Sequence, residues 1–427
     1  MVTDKRGSRS GSARDASVQL ASSPRFEARR EAFIDAATVI MNRDGASGMT
    51  LAEVANALGL TTPSVRYYFK KKEDLAAACL MRTLSKLEEL FSQAAPADRL
   101  EDKLKVLITR NLELLAEIRA GKSPPLAVLS DLRAFTSQNT GAIVTAYRSM
   151  FAGLRTFFAS PETKGMSAAT LNQRSFLLLI ILLWIPAWID QYDEIDHPKI
   201  AIRIIDVLVN GLATTDAAWD PVLTPTQVLL GTQAASLEPE AFLVAATKVI
   251  NEQGYRGASI DKISAKLNMT KGSFYHHHDA KDEFVIECFE RTFRIVANSQ
   301  SAAFALGTSG WSCLVSTCAS LAEFQLSEHG PLLLNTAISV LPHDIASRML
   351  ANWHQITERF ALMVSDGMID GTIRTVDAKI AAQLINAAVN SVAHLPLWAQ
   401  PKPTEDTVQS YLEPLFFGFA SRRQKAV

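Results

Sequence analysis

Cysteine is scarce: four residues in 427, none in a CxxC pair. That excludes a disulfide framework and a zinc ribbon. Charge of one sign is not in excess either, with 43 basic against 44 acidic groups. A globally basic chain is therefore absent, and nucleic-acid binding must rest on local patches. Long apolar runs are missing: the longest, Phe176 to Ile189, is short for a bilayer and contains Pro186. No membrane partner is expected. Lys5, Arg6, Arg9 and Arg14 stand among serines without an apolar core, so no secretory signal is read and the expected location is cytoplasmic. No nucleophile–base pairing, phosphate loop or metal-ligand spacing is found, so neither an enzyme nor a cofactor is expected. What is present is apolar material, 48% of the chain, enough for two to three domains with ample cores.

The chain repeats itself. A shift of 209 positions lays Phe33 on Phe242, Ala36-Ala37-Thr38 on Ala245-Ala246-Thr247, and Gly45 and Gly48 on Gly254 and Gly257. Leu58, Thr61, Ser64 and Lys72 then meet Leu267, Thr270, Ser273 and Lys281; Cys79, Arg82 and Thr83 meet Cys288, Arg291 and Thr292. Glu31 to Thr83 gives 16 identities in 53 ungapped pairs. Ile185-Pro186-Ala187-Trp188 against Leu395-Pro396-Leu397-Trp398 is a weaker late echo, so the duplication is expected to cover two whole domains. The join falls near Asp216 to Glu238, where Pro221, Pro225 and Gly231 interrupt helical patterning.

Each copy reads as helices. Phe33, Ala36, Ala37, Ile40 and Met41 recur at helical spacing and stop at Asp44-Gly45. Thr50 is placed to cap the next helix, with Glu53 completing a capping box. That helix ends near Leu58, since Gly59 tolerates a left-handed turn. Thr62 then caps another helix with Pro63 at its first position. The second copy repeats the logic with Ser259 as cap, Asn268 at the turn and Thr270 opening the last helix. The fold class expected is all-α, in two tandem units.

Two short helices joined by a Gly or Asn turn form a helix-turn-helix, whose second helix enters the DNA major groove. That helix reads Thr61-Thr62-Pro63-Ser64-Val65-Arg66-Tyr67-Tyr68-Phe69 in the first copy, followed by Lys70-Lys71-Lys72. In the second it reads Thr270-Lys271-Gly272-Ser273-Phe274-Tyr275-His276-His277-His278, then Lys281. Hydroxyls and amides at a helix start suit phosphate oxygens, and Arg66 or Lys271 suits guanine edges. Arg25 to Lys72 carries eight basic and five acidic residues, Glu238 to Lys281 six and five. On charge alone the first module is the better DNA binder.

On these residues both copies resemble the DNA-binding module of the TetR family of bacterial transcriptional regulators. Tyr67-Tyr68-Phe69 and Lys72-Glu73-Asp74-Leu75 match that family's aromatic and Lys-Glu-x-Leu stretches, with Arg66 where the first tyrosine is usual. In the second copy Tyr275 matches, while His277 and His278 replace the usual Tyr-Phe pair. The resemblance implies that Tyr68, Lys72, His277 and Lys281 hold phosphates, and that Thr62, Arg66, Tyr67, Lys271, Tyr275 and His276 face base edges. Thr50, Thr61, Pro63, Ser64, Ser259, Thr270, Gly272 and Ser273 complete the expected DNA-binding set.

The resemblance also implies that the remaining helices form an effector pocket and a four-helix dimer interface. The corresponding division is a disordered basic arm 1–24, a first helix-turn-helix 25–75, a helical ligand-binding and dimerisation domain 76–216, a linker 217–236, a second helix-turn-helix 237–284 and a second helical domain 285–420. Phe176 to Ile189, Ile200 to Leu212, Ala381 to Trp398 and Val408 to Phe419 are the expected interface elements. They pair either within one chain, as an intramolecular pseudo-dimer, or between two chains as a homodimer. Arg133, Phe135, Tyr147, Phe151, Trp184 and Trp188 in the first copy, with Trp353, Phe360 and Trp398 in the second, are the candidate pocket residues. Their chemistry suits a small hydrophobic or aromatic effector. His276, His277 and His278 point about 100° apart on a helix and do not converge on one ion, so no metal site is expected. Cys79 and Cys288 read as inherited core thiols. The function implied is a DNA-binding, effector-released repressor reading a double-stranded operator through two unlike recognition helices. The alternative is a binding scaffold in which one or both helix-turn-helix units no longer bind DNA.

Overall fold

The computed structural model describes residues 23–129, 141–231, 237–266, 281–334, 338, 341, 343–395 and 406–421. Among these residues there is no strand, only an isolated bridge between Ala213 and Ile373. The first unit comprises α1 (Pro24–Gly48), α2 (Leu51–Ala57), α3 (Thr62–Tyr68), α4 (Lys72–Ala94), α5 (Leu100–Arg119), α6 (Gly141–Phe157), α7 (Ala168–Trp184) and α8 (His197–Asn210). A short α9 (Thr226–Leu230) sits in the join. The second unit comprises α10 (Leu237–Gly257), α11 (Ile260–Lys266), α12 (Lys281–Ala305), α13 (Gly310–Leu326), α14 (His343–Ile369), α15 (Ala378–Ser391) and α16 (Thr407–Phe417).

Local chemistry sets the helix limits of the first module. The Ser23 hydroxyl accepts the Phe26 N–H at 3.2 Å and Pro24 takes the first position of α1. Gly45, at φ +71° and ψ 161°, breaks that helix where an L side chain would be strained. Thr50 and Glu53 form the reciprocal capping box of α2: Thr50 Oγ1 accepts the Glu53 N–H at 3.2 Å, and Glu53 accepts the Thr50 N–H at 3.0 Å. Gly59, at φ +64°, makes the turn. α3 begins one residue earlier than the spacing suggested. Thr61 is its cap, and Pro63 falls within a first turn that has no use for a proline N–H.

α4 runs unbroken across residue 75 and α12 across residue 284, so each module is rigidly joined to the helical domain behind it. The first helices of the two modules, α1 and α10, also pack on each other. Between the units, α7 and α8 pack on α15 and α16 as a four-helix layer. α7, extended to Ala187, is long and apolar enough to cross a membrane by length and composition alone. Here it is a core helix: Phe176, Leu177, Leu178 and Ile181 are buried and Phe176 lies 6.1 Å from Tyr411 of α16.

The layer is sealed by polar groups that cross it. Arg174 of α7 is 2% exposed and donates to the carbonyls of Phe419 and Ser421, with Glu413 at 3.9 Å. Burial pushes its guanidinium pKa down to about 10. Arg374 donates to the Gly211 carbonyl at 2.6 Å and to Asp206 at 2.9 Å. The join follows α13, where the N–H groups of Val222 and Thr224 donate to Ser316 and Ser320, each at 2.9 Å.

Candidate nucleic-acid interface

The exposed face of the first module is built around a small core. Val54, Val65 and Phe69 are buried, and the Arg30 guanidinium lies 5.4 Å over the Phe69 ring. Around that core Pro63, Arg66 and Tyr67 are exposed, and Thr62 and Ser64 are half-buried at the start of α3. Thr61 Oγ1 and Ser64 Oγ share a hydrogen bond at 3.1 Å. Tyr67, at 70% exposure, is the largest outward side chain of the helix. This presents hydroxyls, a guanidinium and a phenol from one short helix, the chemistry that reads base edges and phosphates.

Two predicted phosphate ligands have structural partners. Tyr68 stacks on Phe26 at 4.6 Å and lies 5.2 Å from Phe33, so its ring locks α3 onto α1. Lys72 donates to the Ser47 carbonyl at 2.8 Å and thereby fixes the start of α4 against the end of α1. Thr50 serves as the cap of α2. In the second module Ser259 caps α11, accepting the Lys262 N–H at 3.3 Å. Thr270, Lys271, Gly272, Ser273, Tyr275, His276 and His277 lie outside the described residues, as does the side chain of Lys281. No group of three or more metal-ligating side chains occurs among the described residues.

Behind each module lies a duplicated polar clamp. Asn42 donates to the Leu126 carbonyl and accepts the Val128 N–H, both at 2.8 Å. Asn251, its partner in the 209-residue repeat, does the same to Leu332 at 2.9 Å and Leu334 at 3.0 Å. Thr83 Oγ1 accepts the Ala127 N–H at 2.8 Å, and Thr292 Oγ1 the Leu333 N–H at 3.0 Å. Arg82 and Arg291 donate to the carbonyls of Pro125 and Pro331 while pairing with Asp35 and Glu240 on the first helices. Each clamp ties the first helix of a module to a strap from the domain behind it. Sequence reasoning matched the arginines and threonines without assigning them a task. The signal for the strap was Pro125-Leu126 against Pro331-Leu332, at a shift of 206 rather than 209.

The candidate pocket residues separate. Trp353 and Phe360 line a small cavity of about 10 Å³ in the second unit, with Thr292, Leu332, Asn386 and Asn390. Trp353 Nε1 is buried there without a hydrogen-bond partner. Tyr147 and Phe151 stack at 6.1 Å on α6. Trp188 is buried against Tyr192, and Trp184 crosses to the second unit, 6.0 Å from Trp353 and bonded to Gln383 at 3.2 Å. Arg133, Phe135 and Trp398 lie outside the described residues. Cys79 and Cys288 are buried. Desolvation raises both thiol pKa values, that of Cys288 to about 12.

Residues 33–79 and 242–288 each match the N-terminal region of the bacterial regulatory proteins of the tetR family. The transposon Tn10 TetC protein of Escherichia coli is 24% identical over 136 residues, 32% of this chain and 68% of TetC. The HTH-type transcriptional regulator BetI of Paraburkholderia xenovorans is 32% identical over 89 residues, 20% of this chain and 46% of BetI, so the match spans less than half of that relative. Among solved structures, the TetR family transcriptional regulator PfmR of Thermus thermophilus aligns with 42% of this chain and 98% of its own, at 19% identity and a TM-score of 0.35. The two matched regions, one per repeat, give this chain a tandem of two modules similar to the N-terminal region of the bacterial regulatory proteins of the tetR family.

Proposed function

We propose that this protein is an effector-released transcriptional repressor in which one chain, folded as a pseudo-dimer, reads an operator with two unlike half-sites. The observation that carries this reading is the crossing of the two units at the ends of α8 and α16. The Leu212 N–H donates to the Phe416 carbonyl and the Phe419 N–H to the Leu208 carbonyl, both at 2.8 Å. The face that a homodimer would share between chains is thus occupied from within. The effector site of this reading is the apolar cavity beside Trp353, whose free indole N–H suits a neutral hydrophobic or aromatic molecule carrying one acceptor. At about 10 Å³ it holds roughly one water, so entry requires side-chain movement that Leu332 passes to the clamp on Asn251.

Selection of bound DNA from a random pool tests the proposal, using the wild type, Arg66→Ala and Lys271→Ala. Two unlike half-sites, each relaxed by one variant, are the expected result. A consensus altered only by Arg66→Ala leaves the second unit a scaffold, and no enrichment removes the DNA-binding reading.

A further inference from the structure

The first turn of α1 adds a second surface to the recognition helix. Phe26 stacks on Tyr68 and stands edge-on to Tyr67 at 6.3 Å, so the start of α1 and the end of α3 form one aromatic wall. Between them runs an open groove of about 620 Å³, bordered by Ser23, Arg25, Phe26, Arg29, Tyr67 and Tyr68. Arg25 and Arg29 are four residues apart and share a helix face, with Glu27 turned away from it. Both are exposed, and neither has an acidic partner among the described residues. By contrast, the neighbouring Arg30 is paired with Glu31 at 3.2 Å. Two uncompensated guanidiniums over an aromatic floor thus lie beside the recognition helix.

The position of the groove defines its occupant. α3 has seven residues and spans about 10 Å at 1.5 Å per residue, close to the ~12 Å width of a major groove. A recognition helix that meets base edges with its N-terminal residues brings its far end, Tyr67 and Tyr68, to the phosphate rim. We propose that the Arg25–Phe26–Arg29 turn of α1, with Tyr67 and Tyr68, is a DNA-backbone site. The two guanidiniums each take a phosphate, and the aromatic faces lie against the sugar between them. This rests on the DNA-binding reading above and adds residues outside the helix-turn-helix motif. It belongs to the first unit alone, because the repeat places Ala234, Ala235 and Glu238 opposite Arg25, Phe26 and Arg29, and histidines opposite both tyrosines. The contact positions the protein and carries no sequence information.

The test is binding of full-length protein to a random-sequence duplex, measured by fluorescence anisotropy between 50 and 200 mM salt. Each lost phosphate contact flattens the plot of log affinity against log salt by about 0.9. Arg25→Ala/Arg29→Ala is expected to flatten it by about 1.8, so its deficit against wild type shrinks about twelvefold across that range. Arg25→Lys/Arg29→Lys is expected to keep most of the slope. The control pair Arg148→Ala/Arg155→Ala, exposed on α6 and equal in charge change, is expected to leave it unchanged. Both substituted arginines are exposed, and an unchanged melting temperature confirms folding. A slope unaltered by the Arg25/Arg29 pair, or altered equally by the control pair, overturns the site while leaving DNA binding intact. A wild type that binds no duplex overturns the underlying reading as well.

Discussion

Gly211 and Gly418 lie against each other's helix ends. A Cβ on Gly211 would sit 2.4 Å from the Phe416 carbonyl oxygen, and one on Gly418 would sit 2.2 Å from that of Val209. Their φ angles, +69° and +91°, with ψ of −162° and 150°, belong to a region open essentially to glycine alone. The two C-terminal helices of the units can cross this closely only because both residues lack a side chain. We predict that Gly211→Ala and Gly418→Ala each cost at least about 1–3 kcal/mol in backbone strain, before the carbonyl clash is added. Urea unfolding should show lower midpoints for both. An unchanged midpoint in either variant would contradict the crossing.

The clamp predicts a local effect distinct from global destabilisation. Asn251→Ala leaves the buried Leu332 carbonyl without its donor, a loss on the order of 1–3 kcal/mol. Hydrogen exchange should then accelerate at the amides of Leu333 and Leu334, which the clamp holds. Uniform protection across the strap would show that Asn251 does not hold it.

His197 gives the fold a pH dependence. It is 6% exposed at the start of α8, and neither ring nitrogen has a hydrogen-bond partner. Desolvation first, then Arg119, lowers its pKa below 6.5, while Glu194, Asp196 and the Tyr192 backbone act in the opposite sense. The unfolded state therefore binds the proton more readily, and stability is lost as pH falls below about 6.5, levelling off beneath the folded pKa. The melting temperature should fall between pH 7.5 and 5.5, and His197→Gln should reduce that fall. An identical pH dependence in the variant would rule this histidine out as its source.

All four thiols are buried and lie above the usual cysteine range through desolvation. Native protein should resist alkylation at pH 8, whereas urea-unfolded protein should react at all four positions. Rapid modification of native Cys79 or Cys288 would revive a redox role for the matched pair.

Much of this architecture was legible because local rules and the repeat agreed. The Thr50–Glu53 box, the breaks at Gly45 and Gly59 and the cap at Ser259 each follow from side-chain chemistry within four residues. The cap of α3, by contrast, falls one residue before the expected Thr62, at Thr61, whose hydroxyl makes no capping bond. The all-α class follows from apolar spacing. What could not be read were contacts between residues far apart in the chain. Trp184, a candidate pocket residue, lies 6.0 Å from Trp353 of the second unit, 169 positions away in the sequence, a contact that local spacing does not report. Lys72 and Tyr68, expected at phosphates, also reach Ser47 and Phe26, because the fold turns α3 and α4 back onto α1. Arg25, Phe26 and Arg29 stood outside any motif until that stacking brought them to the recognition helix.

The central claim is that one chain supplies both halves of the DNA-reading unit. The measurement that tests it most directly is the mass of the complex with a selected duplex, by light scattering after size exclusion. The account predicts one chain per duplex and no concentration-dependent association of the free protein. Two chains on each duplex, with free protein that dimerises, would contradict it.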